Sequence, residues 1–332
     1  MMDTEIIPQA DAFVNAKWAT VKRKAAGVSR TMLWIGPLRA RGLRMGDCSN
    51  RLEYTIENGR LKLKKAYLCR DRLCPICNWR LGVKRLSEAI SVCGVLAERY
   101  PKAKAIHIVL TVRNCNAGEL GETIRRISEG FMRLRKRALW KEFILGYARS
   151  IEVTYNHKTG TYHPHIHIVA IVGEDYVRQI SIGDWIDMWR DCAKLNYKPI
   201  VWAEHAYKRP PKMDEPSVSV YGTETLSAGL EKRTEDERIK ALREAIKYAL
   251  KPDVFDEMLK AGDTLELSKA VGGVKLIAYG GIMKEIRAEL GISDHEAPDL
   301  APEESIELEA IKPEYLIVYE WAMKAGEYRR VV

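Results

Sequence analysis

The stretch Tyr162-His163-Pro164-His165-Ile166-His167-Ile168-Val169-Ala170-Ile171 decides how this chain is read. Polar and apolar residues alternate with period two and the apolar ones are mostly β-branched, which is the pattern of a strand. Successive side chains of a strand point to opposite faces, so His163, His165 and His167 share one face and Ile166, Ile168 and Ala170 the other. A lone histidine is ordinarily a hydrogen-bonded structural residue. Three on one face of one strand point to metal, because neutral imidazole is the commonest metal ligand.

Working outward, residues 146–155 read as a second strand, and the short Gly-containing turn at 156–160 joins the two as an antiparallel hairpin. Counting back from that turn brings Glu152 level with His165, so a carboxylate is expected beside the paired histidines. Residues 105–113 (AIHIVLTVR) are apolar enough for a central strand. Helices are expected at 119–140 and 175–195, the latter with Trp185 and Trp189 in the core, followed by a strand at 197–207. Residues 208–230 are rich in Pro, Ser and Gly and read as a loop insertion; helices then follow at 234–250 and 253–261, a strand at 274–279 and a helix at 282–290. The order predicts an α+β fold with a central antiparallel-rich sheet of about five strands and helices on one face.

The chain of 332 residues carries a net charge of +9, and the charge is unevenly placed. Residues 60–86 hold nine Lys and Arg against the single acid Asp71, whereas 294–309 hold seven acids and no Lys or Arg. A basic region fits a polyanionic partner or a solvated charged face equally well. No apolar run approaches the roughly 18 residues of a membrane span and no signal-peptide core is evident, so a soluble, cytoplasmic protein is expected.

Four of the seven cysteines form the set Cys48, Cys69, Cys74 and Cys77, in which Cys74-Pro-Ile-Cys77 is a metal-binding knuckle. In a chain without a secretory signal this clustering favours a structural zinc ion over disulfides. Strands at 52–56 and 60–67 flank the turn Asn58-Gly59, and a helix follows over 78–100. The expected division is an N-terminal arm (1–44), in which residues 10–26 could form a basic helix and Gly36-Pro37 breaks any continuation, a four-cysteine module with its helix (45–100), a third domain (101–290), and an acidic linker with a C-terminal hairpin or helix (291–332).

The helix at 234–250 carries the second chemical signal. Glu244 and Tyr248 are four apart and share a face, as do Lys247 and Lys251. Only about 0.1% of an unperturbed phenol is ionised at neutral pH, so a tyrosine nucleophile needs cationic neighbours and a metal-polarised electrophile. Lys251 could supply the charge, and Glu244 could accept a proton from the phenol or from water.

In combination these motifs resemble the plasmid rolling-circle replication initiators, the Rep branch of the HUH endonuclease superfamily with one catalytic tyrosine. The resemblance rests on residues 68–80 (LCRDRLCPICNWR), on 108–114 (IVLTVRN), on His163-Pro164-His165-Ile166-His167 and on Glu244-x-x-Lys247-Tyr248-x-x-Lys251, in that order. It implies that His165, His167 and Glu152 hold a catalytic Mg²⁺ or Mn²⁺, and that Tyr248 attacks single-stranded origin DNA to leave a 5′-phosphotyrosine and a free 3′-OH. Glu244 would then activate water for termination, with Lys247 and Lys251 beside the nucleophile. His163, extra to the pair, would contact substrate or support a ligand. Cys48, Cys69, Cys74 and Cys77 would hold zinc, and Arg70, Arg72, Arg80, Lys84 and Arg85 would follow the DNA backbone. Single- and double-stranded origin DNA, a host helicase and a host polymerase are the implied partners, and a homodimer is compatible with the sequence.

Two rival readings compete with this one. A histidine-triad nucleotide hydrolase or transferase would use His165 as nucleophile, but Pro164 is awkward in that motif and the cysteines and Tyr248 are left unexplained. A non-enzymatic zinc-containing DNA-binding protein would account for charge and cysteines but leave Glu244 and Tyr248 idle.

Overall fold

The histidine stretch lies in β5 (Thr161–Val172), the middle strand of a five-stranded sheet. It pairs on one side with β3 (Lys104–Thr111) and on the other with β4 (Ile144–Asn156). With β6 (Val201–His205) and β7 (Ile277–Gly281) at the edges, the order is β6-β3-β5-β4-β7 and every pair is antiparallel. The turn between β4 and β5 is set by Asn156, whose Oδ1 accepts the amides of Lys158 (3.0 Å) and Thr159 (3.3 Å), and by Gly160 at φ +66°. Glycine takes that left-handed backbone without a Cβ penalty. The computed structural model describes residues 6–57, 60–174, 176, 180–205, 262–293 and 316–331.

Helices cover both faces of this sheet, not one. Ile166, Ile168, Ala170 and Val172 pack into a core with α5 (Leu120–Leu134) and α7 (Ile182–Cys192) through Ile124, Ile127, Phe131, Trp185 and Trp189. On the histidine face, Val169 and Ile171 pack against Ala89, Val92 and Leu96 of α4 (Pro75–Arg99) and against Met283 and Ile286 of α9 (Ile282–Glu289). The cause is visible in β5 itself. Alternation stops after His167, and the run from Ile168 to Val172 is apolar on both sides, as a doubly covered strand requires. Among the described residues, α4 and α9 thus cover the Val169–Ile171 half of that face, and the site lies on the histidine half. The long helix expected at 119–140 is two, α5 and α6 (Ala138–Phe143), and α8 (Thr264–Val271) has no counterpart among the expected elements.

The N-terminal segment is not an irregular arm. Residues 6–46 form α1 (Ile6–Val14), a π-turn (Asn15–Ala19), α2 (Thr20–Leu33) and, beyond a 3-10 turn at Gly36–Leu38, α3 (Arg39–Gly46). Val14, Trp18, Ala25, Val28 and Met32 are fully buried, an apolar stripe at helical spacing inside a sequence dominated by basic residues. Gly42 lets α3 lie against α2, since a Cβ there would come within 3.0 Å of Met32 and 3.1 Å of the Ser29 carbonyl.

A second antiparallel sheet, in the order β2-β1-β8-β9, joins β1 (Arg51–Glu57) and β2 (Arg60–Ala66) to the C-terminal hairpin of β8 (Leu316–Ala322) and β9 (Glu327–Arg330). The C-terminal hairpin, expected as an extension, pairs through β8 with β1, in the cysteine region. Asn15 fastens the two ends of the chain, donating from Nδ2 to the Tyr328 carbonyl (3.0 Å) and accepting the Tyr328 amide at Oδ1 (2.7 Å). The Asn58-Gly59 turn, the insertion at 208–230, the helices at 234–250 and 253–261, and the acidic stretch at 294–309 lie outside the described residues. Within the described residues the protein is α+β with two antiparallel sheets.

Candidate active site

The β4–β5 register sets Glu152 directly opposite His165, with His167 two residues along on the same face. The candidate ligand atoms of Glu152, His165 and His167 all lie within 4.8 Å of one another. His165 Nε2 is 3.0 Å from His167 Nε2, and the Glu152 oxygens are 3.3 Å from His167 Nε2 and 3.8 Å from His165 Nε2. His165 Nδ1 is 3.0 Å from the His163 carbonyl. A carbonyl only accepts, so Nδ1 carries the proton and the Nε2 lone pair faces Glu152 and His167. Burial, with His167 beside it, pushes the His165 imidazole down to about 3, so it is neutral near pH 7.

Two imidazoles and one carboxylate converging in this way fit a divalent cation. Cis ligands about 2.1 Å from an octahedral ion stand about 3.0 Å apart, and three protein ligands leave positions for water or a substrate oxygen. The cluster could thus hold a metal ion, of an identity the donor set leaves open. His163 is half-buried, with its ring tilted against His165 at 5.0 Å, and its carbonyl fixes the His165 tautomer.

Sequence reasoning misses His107. It lies on β3, 3% exposed, with Nε2 3.0 Å from His167 Nδ1 and its ring edge-on to Trp202 at 5.1 Å. Without a cation, His167 Nε2–H donates to the bare His165 Nε2, and His167 Nδ1 accepts from His107. With a cation on Nε2, the proton belongs on His167 Nδ1 and His107 must accept it. An imidazole serves both states where a carbonyl would serve one. His107→Phe is therefore expected to weaken Mn²⁺ binding by about 10- to 100-fold in a calorimetric titration, with His107→Gln keeping most of the affinity. Equal affinity of the Phe variant and the parent would reduce His107 to filling space. The signal in the sequence is a histidine inside an otherwise apolar strand, but its facing requires the β3–β5 register.

The second cluster brings together Cys48, Cys69, Cys74 and Cys77. Sγ separations are 3.7 Å (Cys48–Cys77), 3.6 Å (Cys69–Cys77) and 3.7 Å (Cys48–Cys74), and all four cysteines are free. Thiolates about 2.3 Å from a tetrahedral zinc ion stand about 3.7 Å apart, so the set fits a closed structural metal site. The Cys69 amide donates to Cys48 Sγ (3.4 Å) and the Arg70 amide to Cys77 Sγ (3.2 Å), the latter aimed by the left-handed backbone of Arg70 at φ +57°. Lys22, also missed, is 1% exposed, and its Nζ donates to the Gly46 and Cys48 carbonyls and to Asn50 Oδ1 at 2.6–2.9 Å. Desolvation lowers its affinity for a proton, and negative charge on Cys48 and Cys74 works against that. A buried ammonium suits a four-thiolate metal centre, whose net charge is negative.

The basic residues expected on DNA are mostly structural. Arg80 is fully buried, its guanidinium over the rings of Trp18 (5.6 Å) and Trp79 (5.5 Å). Arg85 is 7% exposed, and Arg72 donates to the Val271 and Val274 carbonyls at the end of α8. Lys84 is half-buried, and Arg70 is exposed. A charge count registers sign but not burial, and here it groups the buried Arg80 and Arg85 with the exposed Lys62, Lys64, Lys65 and Arg70. Glu244, Lys247, Tyr248 and Lys251 lie outside the described residues.

Residues 60–329 match the Replication protein family. The chain is 32% identical to "Protein rep" of Streptococcus pneumoniae serotype 2 (strain D39 / NCTC 7466) over 265 residues, 77% of this chain and 74% of the relative. It is 32% identical to "Protein rep" of Bacillus amyloliquefaciens over 290 residues, 84% and 81% of the two chains. A "Protein rep" of Bacillus sp. is 34% identical over 254 residues, 74% and 78%. No solved structure matches. By the extent of the family match and of these relatives, this chain belongs to the Replication protein family, and it is a plasmid replication initiator.

Proposed function

We propose that the protein starts rolling-circle replication by nicking single-stranded origin DNA, as an HUH endonuclease with Tyr248 as nucleophile. The observation that carries this reading is the convergence of Glu152, His165 and His167 on one face of the sheet, in a chain of a replication family. A divalent ion bound by these three residues would polarise the scissile phosphate and offset the negative charge that grows on it. The Tyr248 oxygen forms a bond to phosphorus as the bond from phosphorus to the 3′ oxygen breaks. The phenol gives up its proton and the departing oxygen takes one, which leaves a 3′-OH able to prime synthesis. Lys247 and Lys251 favour the phenolate by their charge. Glu244 serves termination by drawing a proton from water, so that hydroxide breaks the tyrosine–phosphorus bond. His163 and His107 keep the imidazoles in the tautomers that present Nε2. Zinc in the cysteine cluster has no open position and is structural.

The test is incubation with single-stranded oligonucleotides from the replicon's origin and Mn²⁺, followed by denaturing electrophoresis and peptide mapping. A covalent adduct on Tyr248, absent in Tyr248→Phe, is the expected result. Undiminished nicking by Tyr248→Phe would overturn the assignment. Glu244→Ala should still form the adduct but release it at least about tenfold more slowly. A release rate equal to that of the parent would remove Glu244 from termination.

A further inference from the structure

Of the four arginines expected on DNA, Arg80 and Arg85 are buried and Arg72 is half-buried, so much of the accessible basic charge lies elsewhere. Between residues 12 and 46 the sequence holds eight Lys and Arg and no acid. Several of these are committed internally: Lys22 to carbonyls near the cysteines, Arg41 to Asp71 at 2.6 Å, and Arg23 to the Gly326 carbonyl. Arg30, in the last turn of α2, and Arg39 and Arg44, on α3, are exposed. Trp34, which caps α2 beside the α2–α3 turn, is 90% exposed, more than any other large apolar side chain among the described residues. Leu43 on α3 adds an apolar side chain that is 59% exposed.

We infer that the α2–α3 hairpin, which carries the exposed Trp34 together with the exposed Arg30, Arg39 and Arg44, is an accessory binding surface for single-stranded DNA. An exposed indole among guanidinium groups is the arrangement that stacks a base while neutralising its phosphates. Duplex DNA offers its phosphates but hides the base faces inside the stack, so Trp34 favours the single strand. The hairpin lies before residue 60, where the family match begins, and nothing in that match assigns it a role. The π-turn that leads into it is seated on α4 through Trp18 against Trp79 (4.9 Å), and the other half of α4 packs on Val169 and Ile171 of the histidine strand. One helix thus ties the hairpin to the proposed nicking site. The inference rests on the reading that this chain handles single-stranded DNA.

The test measures fluorescence anisotropy of a labelled single-stranded origin oligonucleotide, in the Tyr248→Phe background so that no covalent capture occurs. Trp34→Ala is expected to bind about 5- to 150-fold more weakly, the range of one lost base stack. Arg39→Ala with Arg44→Ala should flatten the slope of log affinity against log salt by about 1.4, which is about 0.7 for each phosphate released. Trp34→Phe, which keeps a stacking ring, should recover most of the affinity. Because Trp34 and both arginines are exposed, melting temperatures should match the parent. Unchanged single-strand affinity in Trp34→Ala would overturn the inference, as would a loss confined to duplex of the same sequence or to an acidic peptide. The two readings fail separately. If no Tyr248 adduct forms but Trp34→Ala still loses single-strand affinity, the nicking reading falls and the surface stands. An adduct with unchanged Trp34→Ala binding leaves nicking in place and removes the surface.

Discussion

His165→Ala combined with His167→Ala should lower the yield of the Tyr248–DNA adduct by at least about a thousandfold, to the background of the nicking assay. The expectation follows from how few donors the site has. Glu152 is 4% exposed, the two imidazoles face it within 3.8 Å, and removing both leaves a single carboxylate, which cannot hold a hydrated divalent ion against water. Glu152→Gln is the companion variant. It keeps the side-chain shape, so packing survives, but replaces the anionic ligand with a neutral amide. Mn²⁺ titration of the Gln variant should show binding weakened by about 10- to 100-fold or more, with the melting temperature close to that of the parent. The zinc content of all these variants should equal the parent's, because the cysteine cluster uses none of these residues. Full nicking by the double alanine variant would show that the cluster is not the catalytic centre.

This site is legible in the sequence because everything that builds it is local. The β4–β5 hairpin is closed by an Asx turn and a glycine, both readable by residue type, and the period-two alternation fixes which side chains share a face. Counting from the turn therefore reaches Glu152. The same logic cannot find His107, whose approach to His167 depends on the pairing of β3 with β5 across some 60 residues of chain. Nor can it find the second sheet, since β8 pairs with β1 over more than 260 residues. The N-terminal helices are legible only in part, as one helix at 10–26, for a different reason. Their apolar stripe is present at 14, 18, 25, 28 and 32, but the basic residues between mask it, and Trp18 shows its purpose only once Arg80 and Trp79 are seen packed on it. Alternation in β5 likewise predicts helices on one face. Its loss beyond His167 is the mark of a second covering layer, and it is that layer which restricts the site to half of the strand.

Cys74→Ser should remove the zinc, about one equivalent in the parent, and with it the order of one half of the molecule. Cys48 follows α3, Cys69 follows β2 and Cys74 leads into α4, so an ion's four ligands would come from three segments, joined otherwise by hydrogen bonds such as that of the Ser49 amide to the Tyr67 carbonyl and by packing. Cys74 is fully buried, and the serine hydroxyl that would replace its thiol is a harder and poorer ligand for zinc. Structural zinc sites contribute on the order of 10–16 kcal/mol of apparent binding energy to the folds they close. That is comparable to the whole stability of an ordinary domain, about 5–15 kcal/mol. Hydrogen exchange should localise the loss. Protection is expected to fall first in α1–α3, β1, β2 and the C-terminal hairpin, which meet through Asn15, Tyr328 and Lys22, and last in the five-stranded sheet, which contributes none of the four cysteines. Lys22→Met tests the charge argument in the same assay. It should leave the four ligands in place but weaken zinc retention against a competing chelator by about tenfold or more, since a negative centre loses its buried counter-charge. If Cys74→Ser keeps its zinc, or if both halves lose protection together with an unchanged metal content, the cysteine cluster does not organise this half of the fold.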